Sequence, residues 1–519
     1  MNMPSAKNAA LAILFLMLCC TTIIAQPVSY PLNIYPDSKF APFIYGIASG
    51  DPLEDRVILW TKIQVADTTI EAYKLKWQIT NDAAFSSIIN EGDVLAEKKR
   101  DYTARVDATG LAAGNDYFYR FVFEDKTSQI GKAKTLPKEE VEHLKLAIAS
   151  CSSIWSGYFN AYKRIAERMD IDFVVHLGDY AYDYPDEDEH VRYIPPHIKD
   201  VASLAEWRER HSYYLLDPDL RAAKQNKTWM VIWDNHDTDC EKPGTQAEAI
   251  QAFYEYLPIR MPDTSHPERL YRSFRFGKLA QINMIDMFLF KGKESFAENQ
   301  KSILGNHQDA WLKNQLSTST SAWNLIGNQE MMGSWLSSRS KSKVIKLPGD
   351  GTYFDPGNWD GYAPDRKRLF DFIKESNINN VVVLTGDAHM SFVTDLTTAP
   401  RNRKIYNRKT GEGAVGVEFL PTSISRGNMD ESGVPEEFIP LFQSISRGWN
   451  PQHRFCQFSK HGYGTLDITK ERCVAEFWYL PILSMQDVEF FGRGYTVKSG
   501  VNHWERKFNK RRSKSTFPQ

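Results

Sequence analysis

The chain has 519 residues, a formal net charge of −2 and 42% hydrophobic residues. This length and apolar content are typical of a globular protein with a large core, here of two domains. The near-zero charge argues against a protein that binds nucleic acid through bulk positive charge. A cluster of positively charged residues runs from Arg506 to Lys514. It is typical of a solvated terminus, although such a cluster also contacts anionic surfaces.

Residues 1–25 have the pattern of a secretory signal peptide. Lys7 is the basic residue, an almost unbroken apolar stretch covers residues 9–24, and cleavage is expected before Gln26. The apolar stretch is also near the lower length limit for an uncleaved membrane anchor. We expect cleavage, export to the periplasm or the extracellular space, and no stable membrane span afterwards.

Four cysteines remain after removal of the signal: Cys151, Cys240, Cys456 and Cys473. They are too few for a disulfide scaffold. Cys456 and Cys473 are able to pair in an oxidising compartment, but spatial geometry decides this. Cys240 is expected to be a small buried hydrophobic residue.

Residues 28–138 are predicted to form an all-β domain. Val57–Thr61 and Tyr117–Phe121 show the alternation of strands, with turn residues between such segments. The stretch from Gly110 to Tyr117 resembles the turn before the tyrosine-corner strand of fibronectin-type sandwiches. We therefore expect an N-terminal fibronectin- or immunoglobulin-like sandwich.

Residues 144–485 show a different pattern. A buried strand at 146–149, helical apolar spacing over 158–169 and a second strand at 173–175 follow one another. This strand–helix–strand order predicts an α/β layer architecture. Residues 486–519 are expected to be a C-terminal extension that carries the basic tail.

Three short polar stretches each follow an apolar run: His176–Tyr182, Trp233–Asp237 and Leu384–His389. Strands that end together at one edge of a sheet bring such groups into one cluster. Asn328 follows another predicted strand. Hydrolysis of a phosphate ester is helped by two or more cations about 3.5–4 Å apart, which a bridging carboxylate holds. The Gly178-Asp179 pair is suited to supply that bridge.

The order Gly-Asp, Asn-His-Asp and Gly-Asp-x-His resembles the calcineurin-like metallophosphoesterase superfamily, and more closely the alkaline phosphatase D (PhoD-like) family. Supporting stretches are Gly46–Pro52, Leu59–Thr61 and Trp359–Tyr362. The resemblance covers about residues 40–480. It implies an α/β fold for the segment that follows the N-terminal domain, namely a metallophosphoesterase-type layered β-sandwich flanked by helices.

The resemblance also implies ferric iron and calcium as cofactors, with other divalent metals as alternatives. In this family an iron ion is held by a thiolate and a phenolate, and soft or phenolate donors suit iron better than calcium. The implied iron ligands are Cys151, Asp179, Tyr182 and His389, with Asp179 bridging to calcium. The implied ligands of the harder cations are Asp234, Asn235, Asn328 and Asp387. His236 is the implied catalytic residue over the phosphate, and Asp237 is expected to orient it.

Two departures from the family pattern bear on the site. Asn235 stands where the family commonly has a second aspartate, which removes one negative charge. Met287-Phe288 replaces a common Thr-Arg pair, so phosphate is expected to be held differently.

We therefore predict an exported metal-dependent phosphoesterase that hydrolyses phosphomonoesters or phosphodiesters with metal-activated hydroxide. Its partner is a small-molecule, lipid or nucleotide phosphate ester, without specific nucleic-acid binding. The alternative is a non-catalytic metal- or carbohydrate-binding surface protein on an inactive phosphatase fold. The sequence leaves the oligomeric state and the choice between monoesters and diesters open.

Overall fold

The structure is a computed structural model that describes residues 34–184, 191–192, 201–238, 245–262, 266, 269–292, 302–338, 352–355 and 357–506. The predicted signal peptide, Cys240 and the basic tail beyond Arg506 lie outside the described residues. No helix in the described part is long and apolar enough to cross a membrane.

The elements divide into three consecutive groups. Residues 34–134 contain β1 (Ile47–Gly50), β2 (Val57–Lys62), β3 (Ala72–Thr80), β4 (Asn90–Glu97), β5 (Thr103–Ala108), β6 (Asp116–Phe123), β7 (Lys126–Thr127) and β8 (Gly131–Lys134). The described residues of 144–284 contain β9 (Leu144–Ala149), α1 (Asn160–Glu167), β10 (Phe173–His176), α2 (Leu204–Tyr214), α3 (Pro218–Asn226), β11 (Thr228–Val231), α4 (Asn235–Thr238), α5 (Gln246–Tyr256), β12 (Arg272–Phe276) and β13 (Ala280–Met284). The described residues of 302–506 contain α6 (Gly305–Thr318), β14 (Trp323–Asn328), β15 (Leu336–Ser338), β16 (Thr352–Tyr353), α7 (Ala363–Glu375), β17 (Val381–Thr385), β18 (Ser391–Leu396), β19 (Gly416–Leu420), α8 (Ile439–Trp449), β20 (His453–Gln457), β21 (His461–Ile468), β22 (Arg472–Leu480), β23 (Phe490–Lys498) and β24 (Glu505–Arg506).

Two large sheets form the layered body that the sequence predicted. The first has the strand order β24-β23-β22-β21-β9-β10-β11-β1-β2-β5, and the second β12-β13-β14-β17-β19-β18-β20. Side chains of both sheets share one buried core, in which Val174 of β10 and Leu325 of β14 are fully buried. The predicted α/β layered sandwich is confirmed.

The central strands follow directly from their composition. All four residues of β10 are buried, and β10 lies between the parallel neighbours β9 and β11. Parallel strands that are buried on both faces have nearly continuous apolar sequences, and β10 shows this pattern. Helix α1 buries Ala161, Tyr162, Ile165 and Ala166, which lie on one face at helical spacing.

The N-terminal region contributes to the first sheet as well as to a sheet of its own. Strand β1 pairs in parallel with β11, and β2 and β5 continue the sheet beyond it. Strands β3, β4, β6 and β7 form a second sheet, with β8 paired to β6. The sequence predicted an N-terminal sandwich domain, whereas three strands of this region, β1, β2 and β5, extend the sheet of the second domain.

The predicted tyrosine corner is confirmed. The Tyr117 hydroxyl accepts a hydrogen bond from the Ala112 amide at 2.7 Å and donates to the Ala112 carbonyl at 3.2 Å. This closure fixes the turn before β6, as in fibronectin-type sandwiches.

The C-terminal part and the cysteines differ from the sequence-based boundaries. Residues 490–498, expected in an extension, form β23 and pair along β22 in the first sheet. Cys456 lies on β20 of the second sheet and Cys473 on β22 of the first, and both are free. The pairing that the sequence left open is therefore not formed.

Candidate metal centre

The polar turns meet because their strands end at one edge of the sandwich. β9, β10 and β11 are adjacent and parallel in the first sheet, and β14 and β17 are adjacent and parallel in the second. Gln329, directly after β14, connects the two sheets: its Nε2 donates to the Trp233 carbonyl at 3.0 Å, and its carbonyl accepts from the Gly386 amide at 2.9 Å.

The turns are sharp, and several of their residues adopt backbone angles that side chains disfavour. Four candidate ligands have positive φ, namely Cys151 (58°), Asp179 (52°), Asp387 (56°) and His389 (54°). Such conformations cost about 1–3 kcal/mol each and cluster at functional sites. Gly178 has φ +106°, and a β-carbon there would lie 2.4 Å from Cβ of Asp234. The close approach of two turns therefore requires glycine at this position.

The four predicted iron ligands lie together. The Cys151 Sγ, an Asp179 carboxylate oxygen and a His389 ring nitrogen all lie within 4.8 Å of one another. The Tyr182 hydroxyl is 2.9 Å from Asp179 Oδ2 and 3.3 Å from His389 Nε2. Distances of this size suit donor atoms arranged around a single ion, since each metal–ligand bond is about 2 Å long.

The four side chains are buried, and burial controls their protonation. It raises the pKa of the Cys151 thiol well above its usual range, and the Asp179 charge raises it further. It raises the pKa of Tyr182 in the same way. Burial and the Arg426 charge lower the pKa of His389, which keeps its imidazole neutral. A cation favours the thiolate and phenolate forms, so binding is expected to release protons.

The second group of candidate ligands is rich in carboxyl groups. Burial raises the pKa of Asp234 well above its usual range, and Asp179 and Asp387 raise it further. Asp387 is raised likewise by burial and then by the charge of Glu330. Asp234 Oδ1 accepts from the Asn235 amide at 2.8 Å, whereas its buried Oδ2 has no hydrogen-bond partner among the described residues. A cluster of carboxylates, one of which has an oxygen without a hydrogen-bond partner in the described part of the chain, is suited to bind a hard cation such as calcium.

The two predicted amide ligands occupy different surroundings. Asn235 begins α4 and is partly exposed. Asn328 is buried at the end of β14, where its Oδ1 accepts from Trp359 Nε1 at 3.0 Å and its Nδ2 donates to Thr385 Oγ1 at 3.1 Å. These bonds fix the Asn328 amide and occupy one of the two lone pairs of its oxygen.

The expectation that Asp237 orients His236 is wrong. The Asp237 carboxylate accepts from three backbone amides instead, those of Tyr180 (3.2 Å), Ala181 (3.0 Å) and Asp234 (3.0 Å). Since α4 turns the two side chains apart, Asp237 holds the turns after β10 and β11 together.

Asp183 takes the place next to His236 that the sequence assigned to Asp237. Asp183 Oδ1 lies 2.6 Å from His236 Nδ1. Burial lowers the pKa of His236, but the charges of Asp179 and Asp183 outweigh it and raise the pKa overall. The sequence reasoning missed Asp183, although it directly follows Tyr182.

Glu330 and Arg426 were also missed. Glu330 is buried, and its carboxylate pairs with Lys291 Nζ at 3.1 Å; burial raises its pKa to about 7. Its position two residues after Asn328 was the available signal. The Arg426 guanidinium lies 4.7 Å from the centre of the Tyr182 ring. No local motif marks Arg426, because only the folded loop brings it to the site.

The replacement of the Thr-Arg pair has a structural consequence. Met287 is fully buried in an apolar cluster, and the Phe288 amide donates to Asp286 Oδ1 at 2.8 Å. This turn presents no guanidinium, so the charges that reach the site come from elsewhere in the chain.

Comparison with known proteins agrees with the geometry. The family model for PhoD-like phosphatase matches residues 146–477, and the model for the PhoD-like phosphatase N-terminal domain matches residues 33–137. The chain belongs to the PhoD-like phosphatase family. Among curated relatives of this PhoD-like phosphatase, alkaline phosphatase D of Bacillus subtilis (strain 168) is 33% identical over 503 residues, covering 89% of this chain and 82% of the relative.

A solved structure described as the structure of PhoD superimposes on this PhoD-like phosphatase with a TM-score of 0.78 and 28% identity, covering 92% of this chain and 94% of that one. The membership of this family and the geometry of the metal centre together show that the protein is a metal-dependent phosphoric ester hydrolase. The non-catalytic alternative from the sequence therefore does not hold.

Proposed function

We propose that this phosphatase holds an iron ion at Cys151, Asp179, Tyr182 and His389, and calcium ions at the neighbouring acidic group. The observation that carries the proposal is the convergence of a thiol, a carboxylate and an imidazole within 4.8 Å, with a phenol in contact. Thiolate and phenolate donors select iron, and carboxylate and amide oxygens select calcium.

The calcium ligands are proposed to be carboxylates and amides from the turns after β10, β11, β14 and β17, with Asp179 as the bridge. The supporting feature is Asp234 Oδ2, which has no hydrogen-bond partner in the described part of the chain and lies near the charges of Asp387 and Glu330. Glu330 adds a further carboxylate to this group, and Lys291 Nζ, 3.1 Å away, partly offsets its charge. The proposed set is Asp179, Asp234, Asn235, Asn328, Glu330 and Asp387.

When bound, these cations supply an activated water nucleophile and neutralise the charge of the phosphate. The chain's own groups do the remaining work. His236, held by Asp183, donates a proton to the leaving oxygen. Arg426 beside Tyr182 provides the guanidinium that binds a phosphate oxygen, in place of the missing Thr-Arg pair. The substrates are small phosphomonoesters or phosphodiesters.

Export remains part of the proposal, on the basis of the signal-like residues 1–25. Mass analysis of the mature protein tests it: a new N-terminus at Gln26 is expected, and a start at Met1 contradicts export by cleavage.

Asp179→Asn tests the site itself. It keeps the side-chain shape but weakens the proposed bridge, so we expect loss of p-nitrophenyl phosphate and bis-p-nitrophenyl phosphate hydrolysis together with loss of iron in elemental analysis. Asp371→Asn is the matched control, because Asp371 forms a surface ion pair with Lys367 on α7. Full turnover by the Asp179 variant would refute the proposal.

Tyrosinate bound to ferric iron gives a visible charge-transfer band. The iron-loaded protein is expected to be coloured, and Tyr182→Phe is expected to lose the band while retaining its fold. A colourless iron-loaded wild-type protein contradicts the assignment of Tyr182.

A further inference from the structure

The loop between β18 and β19 carries a dense positive charge that the metal centre does not use. Residues 401–409 contain five cationic side chains and no acidic one. These side chains are Arg401, Arg403, Lys404, Arg408 and Lys409. The C-terminal tail is therefore not the only cationic segment of this nearly neutral chain.

The loop lies at the edge of the sandwich opposite the metal centre. β18 begins at Ser391, two residues after His389, and ends at Leu396; β19 then returns from Gly416. A six-residue strand spans about 17 Å at about 3.3 Å per residue. The loop is therefore too far away to position the reacting ester.

The loop and the residues before β20 enclose a cavity of about 880 Å³. Four cations line it, namely Arg401, Arg403, Arg408 and Lys409, and no carboxylate of the described residues does so. A concave surface lined by charges of one sign focuses its field and concentrates ions of the opposite sign.

Three of the four positive charges that line this cavity are unpaired among the residues that the structure describes. Arg403, Arg408 and Lys409 form no ion pair within the described part of the chain. The loop is held by other bonds: the Tyr406 hydroxyl donates to Asp395 Oδ2 at 2.7 Å, and Arg454 Nη1 donates to the Arg408 carbonyl at 2.5 Å. The exposed cationic side chains are therefore not needed to fold the loop, and they remain available to an anion.

We propose that this cavity binds a chain of linked phosphate groups, such as inorganic polyphosphate, at a site separate from the metal centre. Guanidinium groups bind phosphate oxygens in pairs, which favours phosphate over a general anion. The volume is near the upper end of ligand pockets, about 300–1,000 Å³, and accommodates several phosphate groups rather than one.

The lining also distinguishes a phosphate chain from a single-stranded nucleic acid. Strand binding without sequence preference depends on aromatic side chains on which the bases stack. Tyr406 is the aromatic residue among those that line the cavity, and its hydroxyl is fixed by Asp395. The cavity thus provides charge without a stacking platform.

The experiment measures binding of inorganic polyphosphate by the full chain in an Asp179→Asn background, so that the metal centre does not consume the probe. The slope of log K against log salt is about −0.7 per phosphate contact of a flexible strand. Four contacts then predict a slope of about −2.8, or about a 50-fold loss of affinity between 50 and 200 mM salt.

Arg403→Ala combined with Arg408→Ala removes two contacts. The expected slope is about −1.4, a loss of about sevenfold over the same range, and affinity at 50 mM salt falls at least tenfold. The matched control is Lys74→Ala with Lys98→Ala, which removes two charges from ion pairs on another surface. In the otherwise wild-type enzyme, neither pair of substitutions is expected to change p-nitrophenyl phosphate turnover.

Three outcomes overturn the proposal. One is polyphosphate binding by the double arginine variant with wild-type affinity and slope. Another is an equal loss in the lysine control, which would show that only net charge matters. The third is equally tight binding of oligo(dT) or heparin at the same residues, which would show that the cavity does not select a phosphate chain.

Discussion

The reassignment of Asp237 gives the sharpest test of the site. Its carboxylate accepts from three buried backbone amides, at 3.0–3.2 Å, that belong to two different turns. Asp237→Ala leaves these donors without a partner. Each unsatisfied buried group costs about 1–3 kcal/mol, so we expect the free energy of unfolding to fall by about 3–9 kcal/mol.

Asp183→Asn provides the contrast. Its carboxylate contacts His236 Nδ1 at 2.6 Å, and asparagine keeps the shape but not the charge. We expect kcat to fall at least tenfold, because the imidazole loses the partner that raises its pKa, while the free energy of unfolding changes by less than about 1.5 kcal/mol. Metal content is expected to remain at the wild-type level.

Both variants are compared by chemical denaturation, by elemental analysis and by p-nitrophenyl phosphate turnover. For Asp237→Ala, stability, metal content and activity should fall together, because the turn that carries Asp179 loses its support. The reasoning is refuted if Asp237→Ala unfolds at the wild-type denaturant concentration, retains its metals and still loses activity. That result would show that Asp237 acts in catalysis and does not only stabilise the turns.

Three further predictions concern stability. Arg272→Met leaves the buried Asp51 carboxylate without the guanidinium that its oxygens contact, and is expected to cost about 3–5 kcal/mol in urea unfolding; a change below 1 kcal/mol contradicts this. Gly178→Ala is expected to lower both stability and iron content, because the new methyl group meets the next turn at 2.4 Å and φ is +106°; a fully metallated, wild-type-stable variant would show that the turns move apart at no cost. Burial raises the pKa of Glu431, but the hydrogen bond and charge of His461 lower it to about 2, from an ordinary 4.5. Because the folded-state pKa is depressed, this stabilisation is present above about pH 4.5 and is lost as the pH falls towards 2. Glu431→Gln should therefore cost about 1–3 kcal/mol at pH 6 and almost nothing near pH 2, and a pH-independent difference excludes the ion pair as its cause.

The sequence by itself determined the strands, their order along the chain and the residues at their ends. An apolar run followed by Gly-Asp defines a buried strand and the turn after it, because both depend on neighbouring residues. The turn that holds Asp179, the tyrosine corner at Tyr117 and helix α1 were predictable for this reason. The grouping of Asp179 with His389 was predictable from strands that end at one edge, whereas Cys151 was assigned to the group through the family resemblance.

Only the tertiary structure decided which groups contact one another across distant parts of the chain. Asp183 rather than Asp237 contacts His236 because the direction of a side chain from α4 depends on how that helix sits against the turn after β10. Glu330 joins the acidic group through the parallel pairing of β14 with β17, and strand β1 enters the first sheet through its pairing with β11. Such pairings are fixed by contacts between segments far apart in sequence, and local periodicity does not record them.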